Sequence, residues 1–162
     1  MKTKQDLLQY LQELNFVVKI YEHEPIFTAE QGKHLLETIP GAHCKNLFLI
    51  DDQGNYWLVV AEFRTKIDLK NLAKTLNVKK LQFGSPEKLQ EYFGVTPGSV
   101  TPFGIINDSL NKVKLILDKK TFENEMINVH PLINNTTISI KPNDMIKFIK
   151  ALSHDYLICE FL

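Results

Sequence analysis

The run Lys45-Asn46-Leu47-Phe48-Leu49-Ile50, the polar break Asp51-Asp52-Gln53-Gly54-Asn55 and the second run Tyr56-Trp57-Leu58-Val59-Val60-Ala61 decide the fold class. Each run is a short, continuous apolar stretch. The break between them is made of residues that favour turns, so the three segments read as a β-hairpin. A strand that is apolar without alternation needs cover on both faces, which places this hairpin at the centre of a sheet.

Outward from the hairpin, helices and strands alternate. On the N-terminal side, Thr3 is placed to cap a helix that carries Asp6 in its first turn and Leu7, Leu8, Leu11 and Leu14 on one stripe. A short strand follows over residues 16–21. Thr28-Ala29-Glu30-Gln31 has capping-box spacing and predicts a helix through about Leu36. On the C-terminal side, Asp68 opens a helix with Leu69, Leu72, Ala73 and Leu76 on one face, and residues 81–83 form a short strand. Ser85-Pro86-Glu87 opens another helix, which Gly94 is placed to end. Residues 95–108 read as an ordered loop anchored by Val100, Phe103, Ile105 and Ile106. Strands are expected over residues 113–117 and 136–140, and residues 126–129 add apolar surface. A helix starts at Pro142, and the tail from Tyr156 to Leu162 is a candidate edge strand. No repeat, low-complexity segment or linker interrupts the pattern. The expectation is one domain over residues 1–162, α/β or α+β, with a central mixed, largely antiparallel sheet and surrounding helices.

Composition agrees. The 162 residues are 44% hydrophobic and 23% charged, with ten Phe, enough for one globular core that buries roughly two-thirds of the unfolded chain's surface. Lys plus Arg and Asp plus Glu number 19 each, so the net charge is zero. Indiscriminate nucleic-acid binding finds no support in that balance, although a local basic patch can still meet phosphates. The two cysteines, Cys44 and Cys159, have no zinc-motif partners. A reduced protein in the cytoplasm is expected, with one disulfide arithmetically open. No apolar run approaches the roughly 20 residues of a membrane span. The five histidines form no short-spaced metal signature, and neither a phosphate loop nor a dinucleotide fingerprint is present; no metal or cofactor is expected.

Several residues can carry chemistry. Lys45 sits at the entrance of a buried strand, where its ammonium can hold a phosphate or ribose; an ordinary solvated strand-edge lysine is the competing reading. Gly98-Ser99-Val100-Thr101-Pro102-Phe103-Gly104 combines glycines that admit close backbone approach with prolines that limit motion. Its N–H groups can stabilise an ester oxyanion, and a rigid structural turn is the alternative. His130 can accept a proton, orient a substrate or support its loop. Cys44 next to His43 suggests a dyad, but adjacent residues on an extended segment point oppositely, so Cys44 is expected to pack. Arg64, Lys66, Lys70 and Lys74 form a basic run, either a contact for an RNA backbone or a solvated helix face.

Two segments carry a family resemblance. Gly41-Ala42-His43-Cys44-Lys45-Asn46-Leu47-Phe48-Leu49 with Tyr56-Trp57-Leu58-Val59-Val60, and Gly94-Val95-Thr96-Pro97-Gly98-Ser99-Val100-Thr101-Pro102-Phe103-Gly104-Ile105-Ile106-Asn107-Asp108 followed by Asn128-Val129-His130-Pro131-Leu132, resemble the prolyl-tRNA editing superfamily. They look most like its free-standing alanyl-tRNA(Pro) deacylase branch, related to the insertion domain of bacterial prolyl-tRNA synthetases. The resemblance implies a prolyl-tRNA synthetase editing-domain-like fold and hydrolysis of mischarged Ala-tRNA(Pro) in trans. Cys-tRNA(Pro) or another aminoacyl-tRNA, or a non-catalytic tRNA-binding regulatory module, stands as the alternative. It also implies Lys45, Gly98, Gly104 and His130 as catalytic positions. Asn46, Ser99, Val100, Thr101 and Phe103 are then substrate contacts, and the chemistry is assisted by the substrate's own terminal ribose hydroxyl. The implied partners are aminoacyl-tRNA(Pro) and, transiently, prolyl-tRNA synthetase.

Overall fold

The computed structural model describes residues 1–28 and 30–161. Its elements are α1 (Lys4–Glu13), β1 (Lys19–Glu22), α2 (Lys33–Thr38), β2 (Ala42–Asp51), β3 (Tyr56–Glu62), α3 (Leu69–Thr75), β4 (Leu81–Phe83), α4 (Pro86–Phe93), β5 (Val113–Asp118), β6 (Ile127–Val129), β7 (Thr136–Ile140), α5 (Pro142–Ala151) and β8 (Tyr156–Cys159). Short 3-10 turns span Pro97–Ser99, Pro102–Asn107 and Thr121–Glu123.

The β2–β3 hairpin is central, as its apolar runs require. Leu47 pairs with Val59 and Leu49 with Trp57 in an antiparallel ladder of seven residue pairs. Its turn is held by Asp51, whose carboxylate accepts the backbone N–H groups of Gln53 and Asn55 and the indole N–H of Trp57, each at 2.9 Å. Burial pushes this carboxyl up, but the hydrogen bonds outweigh it and hold Asp51 below its ordinary value. Among the described residues the strands form one mixed sheet in the order β1-β7-β6-β2-β3-β5-β8, with β4 also pairing with β2. The β2–β6, β3–β5 and β5–β8 contacts are parallel and the other four are antiparallel.

Both faces are covered. On one, Leu58, Val60, Leu115 and Leu117 pack with Leu7 and Leu11 of α1, Phe93 of α4 and Phe148 of α5. On the other, Leu49, Trp57, Val59 and Ile116 pack beneath Leu72 and Ala73 of α3. The helix starts follow the sequence: Thr3 and Asp6 form a reciprocal capping box, Asp68 and Ser85 accept from their first-turn N–H groups, and Gly94 ends α4 in the left-handed region.

Three expectations need adjustment. The strand predicted over residues 16–21 is paired only over Lys19–Glu22. Thr28 and Gln31 do exchange capping-box bonds, yet α2 begins only at Lys33, after Gly32; Ala29 lies outside the described residues. The edge strand at the C-terminus stops at Cys159, and Leu162 of the predicted tail also falls outside them. Both cysteines are free thiols.

One irregularity of the sheet positions the site. Beside β2, β6 pairs only with Ala42 and His43, and β4 only with Leu49, Ile50 and Asp51. Residues 44–48 therefore have no ladder partner on that side among the described residues. Gly41 permits the close approach that starts the β6 contact: its φ is +109°, and a Cβ there would lie 2.8 Å from the Met126 carbonyl oxygen.

Candidate active site

Strand periodicity separates Lys45 from Asn46. Lys45 lies opposite Ala61 on the α3 side of the hairpin, and Asn46 lies opposite Val60 on the other side. Lys45 Nζ donates to the carbonyl of Thr65, which fastens the ammonium to the link after β3. Asn46 Nδ2 donates to the Val100 carbonyl at 3.0 Å. That bond fixes the amide's orientation, and it leaves Asn46 Oδ1 buried with no partner.

Residues 95–108 lie on the Asn46 side of the sheet, where Val95, Phe103, Ile105 and Ile106 join the core. The Val100 carbonyl holds Asn46, and Thr101 Oγ1 donates to the His130 carbonyl at 2.6 Å. This segment therefore braces two candidate residues at once. Its far end is anchored by Asp108, which accepts from buried His154 at 3.0 Å and from the N–H groups of Lys112 and Val113. Burial pushes the Asp108 carboxyl up, and these donors more than offset it, leaving the group lowered.

The two glycines sit in different settings. Gly104 is buried, its N–H is bonded to the Thr101 carbonyl at 3.0 Å, and a Cβ there would fall 2.5 Å from the Phe93 ring. Packing therefore accounts for this glycine. Gly98 is exposed with open space around it, so its backbone remains approachable. Phe103 is fully buried, edge-on to Phe148, and Ser99 and Thr101 are buried as well. The structure puts these three side chains inside the protein, where they support the site from behind.

His130 has a defined tautomer. Its Nδ1 lies 3.0 Å from the Thr136 carbonyl, which can only accept, so Nδ1 carries the proton and the neutral ring keeps a lone pair on Nε2. Burial lowers its pKa, and the nearby His23 and His43 add to that effect. The ring helps line a small apolar recess of 180 Å³ with Leu36, His43, Cys44, Phe63 and Thr137. Cys44 reaches this recess, but burial pushes its thiol up to about 12, so it is no thiolate nucleophile near neutral pH.

A second, polar cavity of 460 Å³ adjoins the first, sharing Leu36, His43 and Phe63 with it. Glu62, Arg64, Thr65, Asp118, Lys120 and Thr121 supply its polar wall. The Lys45 ammonium reaches this cavity's wall through Thr65. Of the basic run, Arg64 is exposed at the cavity and pairs with Glu62 at 2.7 Å. Lys66, Lys70 and Lys74 are exposed along α3 and the link leading into it.

Sequence reading weighed His43 only beside Cys44 and missed Phe63, Thr137 and Asp118. Only one signal pointed to any of them: in the hairpin register, Phe63 follows Glu62, which pairs with Cys44. Among the described residues no group of three or more His, Cys, Asp or Glu is arranged to hold a metal, and no helix is long and apolar enough to cross a membrane.

The small recess with its neutral His130 thus lies beside a polar cavity edged with cationic side chains. Comparisons with known proteins give the family. Residues 23–148 match the model of the aminoacyl-tRNA editing domain, and the chain belongs to that family of trans-editing deacylases. It is 35% identical to the prolyl-tRNA editing protein ProX of Acetoanaerobium sticklandii, covering 99% of this chain and 98% of that one. It is equally 35% identical to the mouse prolyl-tRNA synthetase associated domain-containing protein 1, over 96% and 95% of the two chains. A solved structure described as a candidate trans-editing enzyme for prolyl-tRNA synthetase superposes with a TM-score of 0.74 at 16% identity, covering 99% of this chain and 98% of that one. The last likeness concerns the fold alone.

Proposed function

We propose that this protein hydrolyses the ester of mischarged aminoacyl-tRNA, with Ala-tRNA(Pro) as its substrate, releasing alanine and intact tRNA(Pro). One observation carries the reading: the 180 Å³ apolar recess is lined by a neutral His130 whose Nδ1–H is held by the Thr136 carbonyl and whose Nε2 has no hydrogen-bond partner among the described residues. A recess of that size suits a short side chain. His130 Nε2 accepts from the free hydroxyl of the terminal ribose and so fixes the ester beside the recess. That hydroxyl in turn orients the attacking water. Water oxygen bonds to the carbonyl carbon, the bond to the ribose oxygen breaks, and the water's proton passes to that leaving oxygen. Rate then comes from orientation and preorganised polar groups, with no covalent enzyme intermediate.

Lys45 supplies positive charge to the acceptor end from its position at Thr65. Asn46 Oδ1, a buried acceptor without a donor, suits the ammonium of the aminoacyl group. Of the two glycines in residues 98–104, Gly98 is the one with open space for a ligand beside it. The exposed Arg64, Lys66, Lys70 and Lys74 are assigned to the acceptor-stem backbone, and a transient contact with prolyl-tRNA synthetase delivers the substrate.

The deciding experiment offers alanyl-, cysteinyl-, seryl- and prolyl-tRNA(Pro) to the purified protein and follows ester loss. Alanyl-tRNA(Pro) is expected to be cleared fastest. Faster loss of cysteine keeps the reaction and replaces the substrate. Tight tRNA binding with no ester loss from any of the four makes the protein a binding module instead.

A further inference from the structure

The polar cavity contains a group that the ester chemistry does not use. Asp118, at the end of β5, is 1% exposed and forms part of the cavity wall. Its Oδ2 accepts from the Thr121 N–H at 3.2 Å and the Thr121 hydroxyl at 2.5 Å. Its Oδ1 is buried and has no donor among the described residues. A buried carboxylate oxygen left unpaired is costly, and such atoms are rare without a reason. Around it, Phe63 presents a partly exposed ring beside Leu36, and the exposed Arg64 and Lys120 stand at the same cavity.

A fitting ligand brings an N–H or O–H donor to Asp118, a flat apolar face to Phe63 and negative charge to Arg64 and Lys120. A nucleotide has all three. The exocyclic amine of cytosine or adenine pairs with a carboxylate, the base stacks on an aromatic ring, and its phosphate meets cationic side chains. Because the two cavities share Leu36, His43 and Phe63, a nucleotide next to an ester held in the recess falls in the polar one.

We infer that this cavity seats one of the last two nucleotides of the acceptor strand, with Asp118 Oδ1 accepting from the exocyclic amine of its base. The inference rests on the aminoacyl-tRNA reading above. It adds base recognition at the C-C-A end by a residue outside the ester-binding recess. Uracil and hypoxanthine carry a carbonyl where cytosine and adenine carry the amine, so Asp118 repels them.

The test measures binding of unacylated acceptor-stem minihelices by fluorescence anisotropy at one fixed salt concentration. Three 3' ends are compared: C-C-A, the same end with inosine as the last nucleotide, and the same end with uridine as the penultimate one. The wild-type protein should bind one of the two altered ends about tenfold more weakly, and the end that responds identifies the seated nucleotide. Asp118→Asn keeps an oxygen for Thr121 and turns an NH₂ group toward the ligand. It should weaken binding of the C-C-A end about tenfold and recover most of that loss on the responding altered end. Such crossed preference cannot come from a merely less stable protein, and the wild-type comparison stands even if the variant folds poorly. Equal wild-type binding to all three ends, no measurable binding of any, or a uniform loss in an Asp118→Asn protein whose melting temperature matches wild type overturns the inference. Hydrolysis of alanyl-tRNA(Pro) by the wild-type protein is read separately. Base-dependent binding without hydrolysis sinks the editing reading and keeps this one; hydrolysis with base-indifferent binding does the reverse.

Discussion

The two adjoining cavities share three residues and differ in almost everything else. The recess is small and mainly apolar, and its His130 is neutral. The polar cavity is more than twice as large, at 460 Å³ against 180 Å³, and holds a buried carboxylate among cationic side chains. On the proposed function, size and apolar lining suit one to selecting a short side chain, and hydrogen-bonding capacity suits the other to gripping RNA. An editing site needs both, because a pocket that admits alanine offers too little surface to hold its substrate alone. Phe63 and His43 form the partition, so each cavity shapes the other.

The largest expected effect probes the junction of the two. Lys45→Ala should lower kcat/KM for alanyl-tRNA(Pro) by about 10³-fold with little change in melting temperature; near-normal turnover would remove Lys45 from the mechanism. On the recess side, His130→Ala should cost about 10²-fold, mostly in kcat. The same group sets a pH dependence. Its pKa is lowered from the ordinary 6.5, and only the neutral ring accepts at Nε2. Activity should therefore hold at pH 6.5 and above and fall as pH drops through a value below 6.5. An acidic limb centred above 6.5, or one that survives in His130→Ala, would assign the limb to another group.

Smaller effects test what lies behind the recess. Thr101→Val removes the hydroxyl bound to the His130 carbonyl and should lower kcat about tenfold, since a slightly misplaced ring loses orientation. Gly104→Ala should reduce stability by about 2 kcal/mol through its clash with Phe93 while leaving turnover of the folded fraction nearly unchanged. A loss of kcat without a loss of stability would instead restore this position as an oxyanion donor. Least of all, Cys44→Ala should stay within about twofold of wild type, because a buried, protonated thiol takes no part in the reaction. Inactivation by that substitution would contradict the water mechanism.

Much of the fold was legible because its signals are local. The hairpin, the caps at Thr3, Asp68 and Ser85, and the stop at Gly94 each depend on residues within a few positions of one another. α2 shows where this fails: the Thr28 and Gln31 bonds form as the spacing demands, but Gly32 follows them and the helix starts beyond it. In the site, Lys45 and His130 stood out by residue type and setting, and Asn46 came only with the family resemblance. That Lys45 and Asn46 face opposite ways was also available from strand periodicity. What could not be read was the company they keep. His130 meets His43 through the β2–β6 contact and Phe63 through the hairpin, while Asp118 reaches its cavity through β3–β5 pairing. Those partners lie tens of residues apart, and neither pattern nor propensity specifies such pairings. Gly104 taught a further distinction: a glycine near a ligand loop can be required by the phenylalanine behind it.

The β2–β6 contact consists of two residue pairs, the fewest of any strand pairing in the sheet. Mechanically it is a weld between two plates. One plate, β1-β7-β6, runs directly into the His130 segment; the other, built on β2, β3, β5 and β8, carries Asp118. Separating the two plates there would break two pairs and leave every other ladder whole. The recess and the polar cavity thus adjoin across the shortest ladder in the sheet.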